Sequence, residues 1–478
     1  EMAAQTAPAA AGGPGGGGGG GGGGGVPYWG KYVYHDNNRD INLSQMSMRA
    51  LTDWYYTAHP PIMHDLHESL ALMYTYSGGP PQNPNLDPLL FAELPWFSSW
   101  ELSQMTKWGM PGVYTHGFMD GWSPGYLGSV AYNHNGIMRM YETQSGNDGR
   151  GAGGRGGAAA AGEAAGRGGR GGAAGDSAAG RGGRGGRGGP PGAAGVADTT
   201  GGRGRAGAGG RAGAIPTGRG GGQPREWYRG IPVPPNGSAT FTRRNNTNYS
   251  ETGVLSALQL TSMFPNLVLE NFYVKTRNSI EAGKAQAPFG YVFPVQRDMT
   301  RVVTLVNLLR AQGIEIGLLA SDFTVGADKY PAGSYVIKLD QPYGRLAKNL
   351  LERQDYPDPA LRTYDDSGWS MGWALDVDVK EIADKAILTA PAPLVKQAEY
   401  RGVVAGSGTA GLAVAHLGST NMIAFRYRLK NLAMKVAEKS FTSDGVEFPA
   451  GSFIVAGSTA ELQAARTTAT ELGLTAAA

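Results

Sequence analysis

A long stretch of this chain has almost nothing to bury, and it falls between two stretches that do. From residue 147 to 223 the sequence is nearly all Gly, Ala and Arg. A segment without apolar side chains cannot offset the entropy of ordering its backbone, so this one predicts a disordered insertion. Residues 1–26 form a second such tract, dominated by an uninterrupted glycine run. With maximal backbone freedom and no side chains to pack, it predicts a flexible loop. Sequence able to build a core is thereby confined to 27–146 and 224–478.

The same tracts distort the charge balance. Between Arg150 and Arg219 there are 11 Arg against 3 acids (Glu163, Asp176 and Asp198), so with +3 overall the remainder is mildly acidic, at −5. That basic segment contains no Phe, Tyr, Trp or Lys. RNA-binding Arg-Gly segments combine phosphate contacts with stacking aromatics, so no nucleic-acid partner is expected here, and the tract reads as an expanded surface loop. The chain has no cysteine, which excludes disulfides, thiolate metal sites and Cys nucleophiles. No apolar run is long enough to span a membrane. The chain opens at Glu1 on Ala/Gly-rich sequence with no signal peptide, and is read as a fragment whose N-terminal portion is missing.

Residues 27–146 are rich in Trp, Tyr, Met and His. Asn42–Ala58 places Leu43, Met46, Leu51, Trp54 and Tyr55 at helical spacing, with Ser44 or Asn42 as the expected N-cap. Pro60–Ser69 (PPIMHDLHES) reads as a short apolar strand running out to a polar tip that carries His67. Asn83–Met110 reads as helical, Tyr114–Asn135 as loop, and Gly136–Tyr141 as a strand that delivers Glu142 at its end. After the insertion, 224–286 reads as the end of the same domain and a connector, with a short capped helix at Ser250–Ser262.

Residues 287–478 contain a repeat. KYPAGSYVI at Lys329–Ile337 returns as EFPAGSFIV at Glu447–Val455, so Pro331 and Pro449 are 118 apart, as are Phe323 and Phe441. Each copy predicts a helix, a strand, a hairpin turn at Pro-Ala-Gly, a second strand and a helix, preceded by an apolar strand at Phe289–Val295 or Gly402–Ala405. The expectation is a duplicated α/β C-terminal domain. These units distantly resemble amidotransferase-like domains, whose Cys nucleophile this chain lacks. The polar, aromatic Tyr364–Trp369 stretch is expected at a contact between domains.

Three short motifs carry chemistry. In Asp36-Asn37-Asn38-Arg39-Asp40, a guanidinium beside an amide can clamp a carboxylate through two parallel donors. In Asp65-Leu66-His67-Glu68-Ser69, an imidazole can ligate zinc while Asp65 or backbone orients its other nitrogen. In Met140-Tyr141-Glu142-Thr143, a carboxylate at a strand end can take a proton from an attacking water. His64 and His67 do not form a His-x-x-His site, because on a strand they point to opposite faces. His59, His116 and His134 read as structural or solvent-facing.

In order and local sequence these motifs resemble the zinc carboxypeptidase family, the carboxypeptidase A type of metallopeptidase, over about the second half of its catalytic domain. The resemblance implies a zinc-carboxypeptidase-like mixed-sheet α/β domain, incomplete at its N-terminus, that removes the C-terminal residue of peptides. Asn38 and Arg39 would bind the substrate carboxylate, His67 would be the last of three zinc ligands, and Glu142 the general base. A mobile Tyr on the loop before Glu142 would be Tyr126 or Tyr114. The partners implied are peptide or protein C-termini, and the location is periplasmic or extracellular. One departure from the family is plain. Its His-x-x-Glu zinc pair is absent, since the only His before Arg39 is His35, followed at the third position by Asn38. The first two zinc ligands are expected upstream of residue 1. The alternatives are a catalytically inactive peptide-binding relative and, at greater distance, an RNA-binding protein acting through its Arg-Gly tract.

Overall fold

The computed structural model describes residues 37–40, 43–68, 72–115, 120–143, 230–231, 241–356 and 369–478. The tracts expected to be flexible, His35, His116 and Tyr364–Gly368 lie outside the described residues. All described residues fall within one compact unit, which mixes helices and sheets.

Helix α1 (Met46–Ala58) begins four residues later than the pattern implies; its N-cap is Gln45 rather than Ser44, without a side-chain cap bond, and Asn42 lies outside the described residues. The two residues just before it are held by Asp40, which accepts from the Ser44 and Gln45 N–H groups at 2.9 and 2.8 Å and from Ser44 Oγ at 2.6 Å. A buried carboxylate just ahead of a helix fixes the entry of the chain and faces the positive end of the dipole. Strands β1 (Ile62–Glu68), β2 (Met73–Thr75) and β3 (Gly79–Gln82) follow. Helix α2 (Pro88–Lys107) starts where Asp87 accepts from Leu89 N–H at 2.9 Å and Pro88 takes the first position, five residues inside the expected Asn83 boundary. The stretch expected as loop holds β4 (Val113–Tyr114), β5 (Asp120–Gly121) and the short α3 (Ser129–Asn133). Strand β6 (Ile137–Thr143) is buried at every position.

These strands form a mixed sheet in the order β1-β6-β2-β4, with β1 parallel to β6, β6 antiparallel to β2 and β2 parallel to β4. Helix α2 and helix α4 (Arg243–Met263) pack on one side. The sequence predicts only Ser250–Ser262 for α4. The helix starts earlier because Thr242 and Asn245 form a reciprocal capping box. Pro265, tolerated in a first turn, then starts α5 (Pro265–Ala285), which the pattern did not reveal. Buried Lys275 on α5 pairs with buried Glu93 on α2 and ties the two helices together.

The repeat is real in three dimensions. The first copy comprises β7 (Gly290–Phe293), α6 (Met299–Ala311), β8 (Gly317–Leu318), the hairpin β9 (Phe323–Val325) and β10 (Asp328–Tyr330), β11 (Tyr335–Lys338) and α7 (Gly344–Leu351). Helix α8 (Met371–Ala374) and β12 (Lys380–Ile382) follow. The second copy has β13 (Val404–Ala405), β14 (Leu412–Val414), α9 (Asn421–Arg428), β15 (Ala433–Val436), β16 (Phe441–Ser443), β17 (Val446–Phe448), β18 (Phe453–Ala456), α10 (Thr459–Glu471) and β19 (Ala476–Ala477). Each copy builds its own sheet, β12-β7-β11-β8 and β13-β19-β14-β18-β15.

Two details differ from the sequence reading. Pro-Ala-Gly is not the hairpin turn. It closes a separate turn after the hairpin, with Ser334 N–H donating to Pro331 O and Ser452 N–H to Pro449 O, and with Gly333 and Gly451 at φ 88° and 93°. The partner of β7 in the second copy is β14, which pairs with β18 as β7 pairs with β11; β13 is an added edge strand. Trp369 is buried against Trp122, with ring centroids 6.1 Å apart, and joins the first copy to the β1–β6 region.

Candidate active site

The parallel pairing of β1 with β6 sets His67 opposite Glu142. The antiparallel pairing of β6 with β2 sets Glu142 opposite Tyr74, and β2 with β4 sets Tyr74 opposite Tyr114. Residues in register on neighbouring strands project to the same face with Cβ atoms about 5 Å apart. His67, Glu142, Tyr74 and Tyr114 therefore form one row across the sheet. Glu142 is buried, and Tyr114 packs on Tyr74 with ring centroids 5.4 Å apart.

Asp65 lies two residues before His67 and hence on the same face. Its Oδ1 is 3.0 Å from His67 Nε2, and the His67 side chain keeps 28% of its surface exposed. A carboxylate on one ring nitrogen fixes the tautomer and aims the ring, the arrangement by which metal-ligating histidines are oriented.

The Asn-Arg motif reaches this face through the loop before α3. Asn38 Oδ1 accepts from Leu127 N–H at 2.7 Å, and the Arg39 guanidinium lies 4.7 Å from the Tyr126 ring centroid. Arg39 also donates to the Asn38 carbonyl at 2.8 Å. The next residue, Gly128, packs so close to β1 and β6 that a Cβ there would overlap Met138 Sδ and stand 3.1 Å from Asp65 Oδ2. The contacts run without a break from Arg39 and Asn38 through Tyr126–Gly128 to Asp65, His67 and Glu142. Of the two candidate tyrosines, Tyr126 touches Arg39, whereas Tyr114 sits in the strand row.

Other histidines stand apart. His64 is on the opposite face of β1, stacked on Tyr141 at 5.8 Å and 9°. Burial, aided by the Arg139 charge, lowers its pKa to about 4. His134 is buried, with Nδ1 2.6 Å from the Val130 carbonyl and Nε2 2.9 Å from that of Gln312, and burial lowers its pKa. His59 ends α1 in a left-handed conformation and meets Tyr343 Oη at 2.9 Å.

Sequence reasoning missed the network behind the site. Arg139, wholly buried between Met138 and Met140 on β6, donates to both carboxylate oxygens of Glu101 at 2.9 and 2.7 Å, to Thr75 Oγ1 at 2.8 Å and to the Tyr76 carbonyl at 2.7 Å. Tyr141 Oη donates to Glu101 at 2.9 Å. The only signal for it in the sequence was an Arg inside an otherwise apolar strand, GIMRMY.

The donor set meets part of a zinc site. An imidazole oriented by a carboxylate fits one ligand position, and catalytic zinc takes three protein ligands with an open position. Among the described residues no group of three His, Cys, Asp or Glu side chains is placed to hold a metal. No single helix among the described residues is long and apolar enough to cross a membrane. Comparison of the chain with protein-family models, with curated proteins and with solved structures gives no match.

Proposed function

We propose that this chain carries the substrate-binding and proton-transfer half of a zinc-dependent metallocarboxypeptidase site with a zinc-carboxypeptidase-like fold. The single observation that supports it most is the register of β1 on β6, which sets His67 and Glu142 side by side on the face that the Arg39–Tyr126 contact adjoins.

In this reading Arg39 binds the C-terminal carboxylate of a peptide, with Asn38 holding the Tyr126–Leu127 loop beside it. His67, oriented by Asp65, is one metal ligand, and the other ligands come from outside the described residues. Zinc, were it held there, would supply a Lewis acid for the scissile carbonyl and lower the pKa of a bound water. Glu142 would accept the proton of an attacking water and pass it to the leaving amine, so that the C–N bond breaks to a carboxylate and a free amino acid. Tyr126, stacked on the Arg39 cation, covers the carboxylate end of the substrate.

The test uses zinc-loaded protein carrying a complete ligand set, with an N-acylated dipeptide as the free acid and as its C-terminal amide. The acid should release its terminal residue and the amide should not, while Glu142→Gln abolishes release and keeps binding. Equal handling of acid and amide, no release at all, or full activity in Glu142→Gln would each refute the assignment. The short donor set among the described residues favours one second reading, a protein that binds peptide C-termini through Arg39 without cleaving them. Zinc content and turnover separate the two.

A further inference from the structure

The two repeats differ where their symmetry says they should match. In the first, the edge strand β8 is covered by its own chain. Pro391–Val395 runs antiparallel along it, with Leu318 N–H donating to Pro393 O at 3.0 Å, Ala320 N–H to Pro391 O at 3.1 Å and Val395 N–H to Ile316 O at 3.0 Å. The segment then crosses α6, where Asn307 clamps Ala398, donating to its carbonyl and accepting from its N–H at 2.9 Å each.

In the second repeat the corresponding edge is β15, the last strand of its sheet. The 118-residue offset keeps the pairing register, Leu318 on Tyr335 becoming Val436 on Phe453. Val436 N–H, Glu438 N–H and Met434 C=O therefore take the outward positions of Leu318, Ala320 and Ile316. No backbone partner for these three outward groups is found among the described residues. Aligning the buried positions Val302, Leu305 and Leu309 of α6 with Met422, Phe425 and Leu429 puts Tyr427 where Asn307 clamps the covering segment. Tyr427 and Ile423 are 73% exposed and Val436 57%.

Charge distinguishes the open edge from the covered one. Asn421–Lys439 carries five cations, Arg426, Arg428, Lys430, Lys435 and Lys439, against the single carboxylate Glu438. The corresponding Arg301–Ser321 stretch has only two cations, Arg301 and Arg310, against Glu315, and Arg301 is paired with Asp298 and Asp376. Glu471 neutralises Arg428 at 3.2 Å. Lysine on an edge strand opposes pairing with a second copy of itself, because Lys435 would meet Lys435.

We propose that β15 and α9 form a docking groove for an extended segment of another protein, apolar residues flanked by carboxylates, which adds antiparallel to β15 as Pro391–Val395 adds to β8. Backbone pairing gives the register, the Ile423–Tyr427–Val436 ridge takes alternate apolar side chains, and the cations select acidic flanks. This surface is independent of the peptidase reading.

The probe is a fluorescein-labelled peptide built on Ala390–Tyr400 with Lys396→Glu and Gln397→Glu, titrated into the full chain by anisotropy. Saturable binding that weakens with salt is expected. The double variant Lys430→Glu/Lys435→Glu should weaken it at least about tenfold, as charge reversal at a complementary rim does, and Val436→Pro, which deletes an outward N–H, should remove it. Absence of saturable binding overturns the proposal, as does equal binding to the charge-reversed variant. Displacement by single-stranded RNA that binds Val436→Pro as well as wild type would also overturn it, by making the patch a phosphate-binding surface.

Discussion

His64 and His67 are three residues apart on one strand, yet only His64 lies on the face stacked against Tyr141, where its Nδ1 is buried without a partner. Burial first, and then the Arg139 charge, lower its pKa from 6.5 to about 4. The unfolded chain therefore binds a proton at this position that the folded protein refuses. A depressed folded pKa means that its stability is fully present above about 6.5 and is lost as pH falls toward 4. At pH ~4.5 the loss works out to about 2.5 kcal/mol from this residue alone. His64→Phe keeps a flat ring against Tyr141 and removes the titration. Denaturant unfolding followed by tryptophan fluorescence, at pH ~7.5 and pH ~4.5, gives the difference between the two proteins at each pH. The variant should gain about 2.5 kcal/mol on wild type between the two conditions. Labelling the histidine Cε1 positions offers a direct check: one NMR resonance missing from His64→Phe should titrate with a midpoint near 4, not 6.5. A double difference under ~0.5 kcal/mol, or a missing resonance that titrates normally, would refute the argument from burial.

Other perturbations test the scaffold of the site. Gly128→Ala drives a Cβ into Met138 and toward Asp65; it should cost about 1–3 kcal/mol and raise hydrogen exchange at Leu127, measured by melting and mass spectrometry. Arg139→Met strands the buried Glu101 carboxylate and should cost about 3–5 kcal/mol, most of it recovered in Arg139→Met/Glu101→Leu. Asp40→Ala removes the acceptor for Ser44 and Gln45; it should cost about 1–2 kcal/mol and weaken binding of the free-acid dipeptide more than that of its amide, read by calorimetry.

How much of this was legible in the sequence follows from the range of each interaction. Strands β1 and β6 and helix α1 were readable because their apolar spacing is local. The 118-residue repeat was readable because Pro-Ala-Gly-Ser closes the same turn twice, and only Gly at the third position adopts that left-handed φ without strain. Helix α5 was not readable. It is mostly exposed, and its few buried positions are the unconventional Lys275, Ser279 and Gly283, with Val268 the one apolar residue among them. Gly283 is there because a Cβ would strike the Leu339 backbone. Asp40 was hidden for a related reason. Its acceptors serve N–H groups four and five residues on, and Ser44 offers a more familiar cap in the same window. At the site, residue types were visible while adjacency was not. Nothing local tells His67 that its neighbour across the sheet is Glu142, 75 residues later.

That adjacency depends on register, and register is where the two faces of the sheet meet. A slip of one residue between β1 and β6 would turn Glu142 to the back and bring Tyr141 to the front. The front face alone does little to forbid this, because Met138 and Met140 adapt to many neighbours. On the back, Arg139 joins Glu101, Thr75 and the Tyr76 carbonyl within one set of hydrogen bonds, and Tyr141 closes on the same carboxylate. A slipped β6 would leave that guanidinium and carboxylate buried and unpaired, at a cost far above that of repacking two methionines. The buried ion pair, on the opposite face of the sheet, thus opposes a slip that would change which residue of β6 faces His67. A hydrophobic replacement of the pair could match its stability and would give up that discrimination.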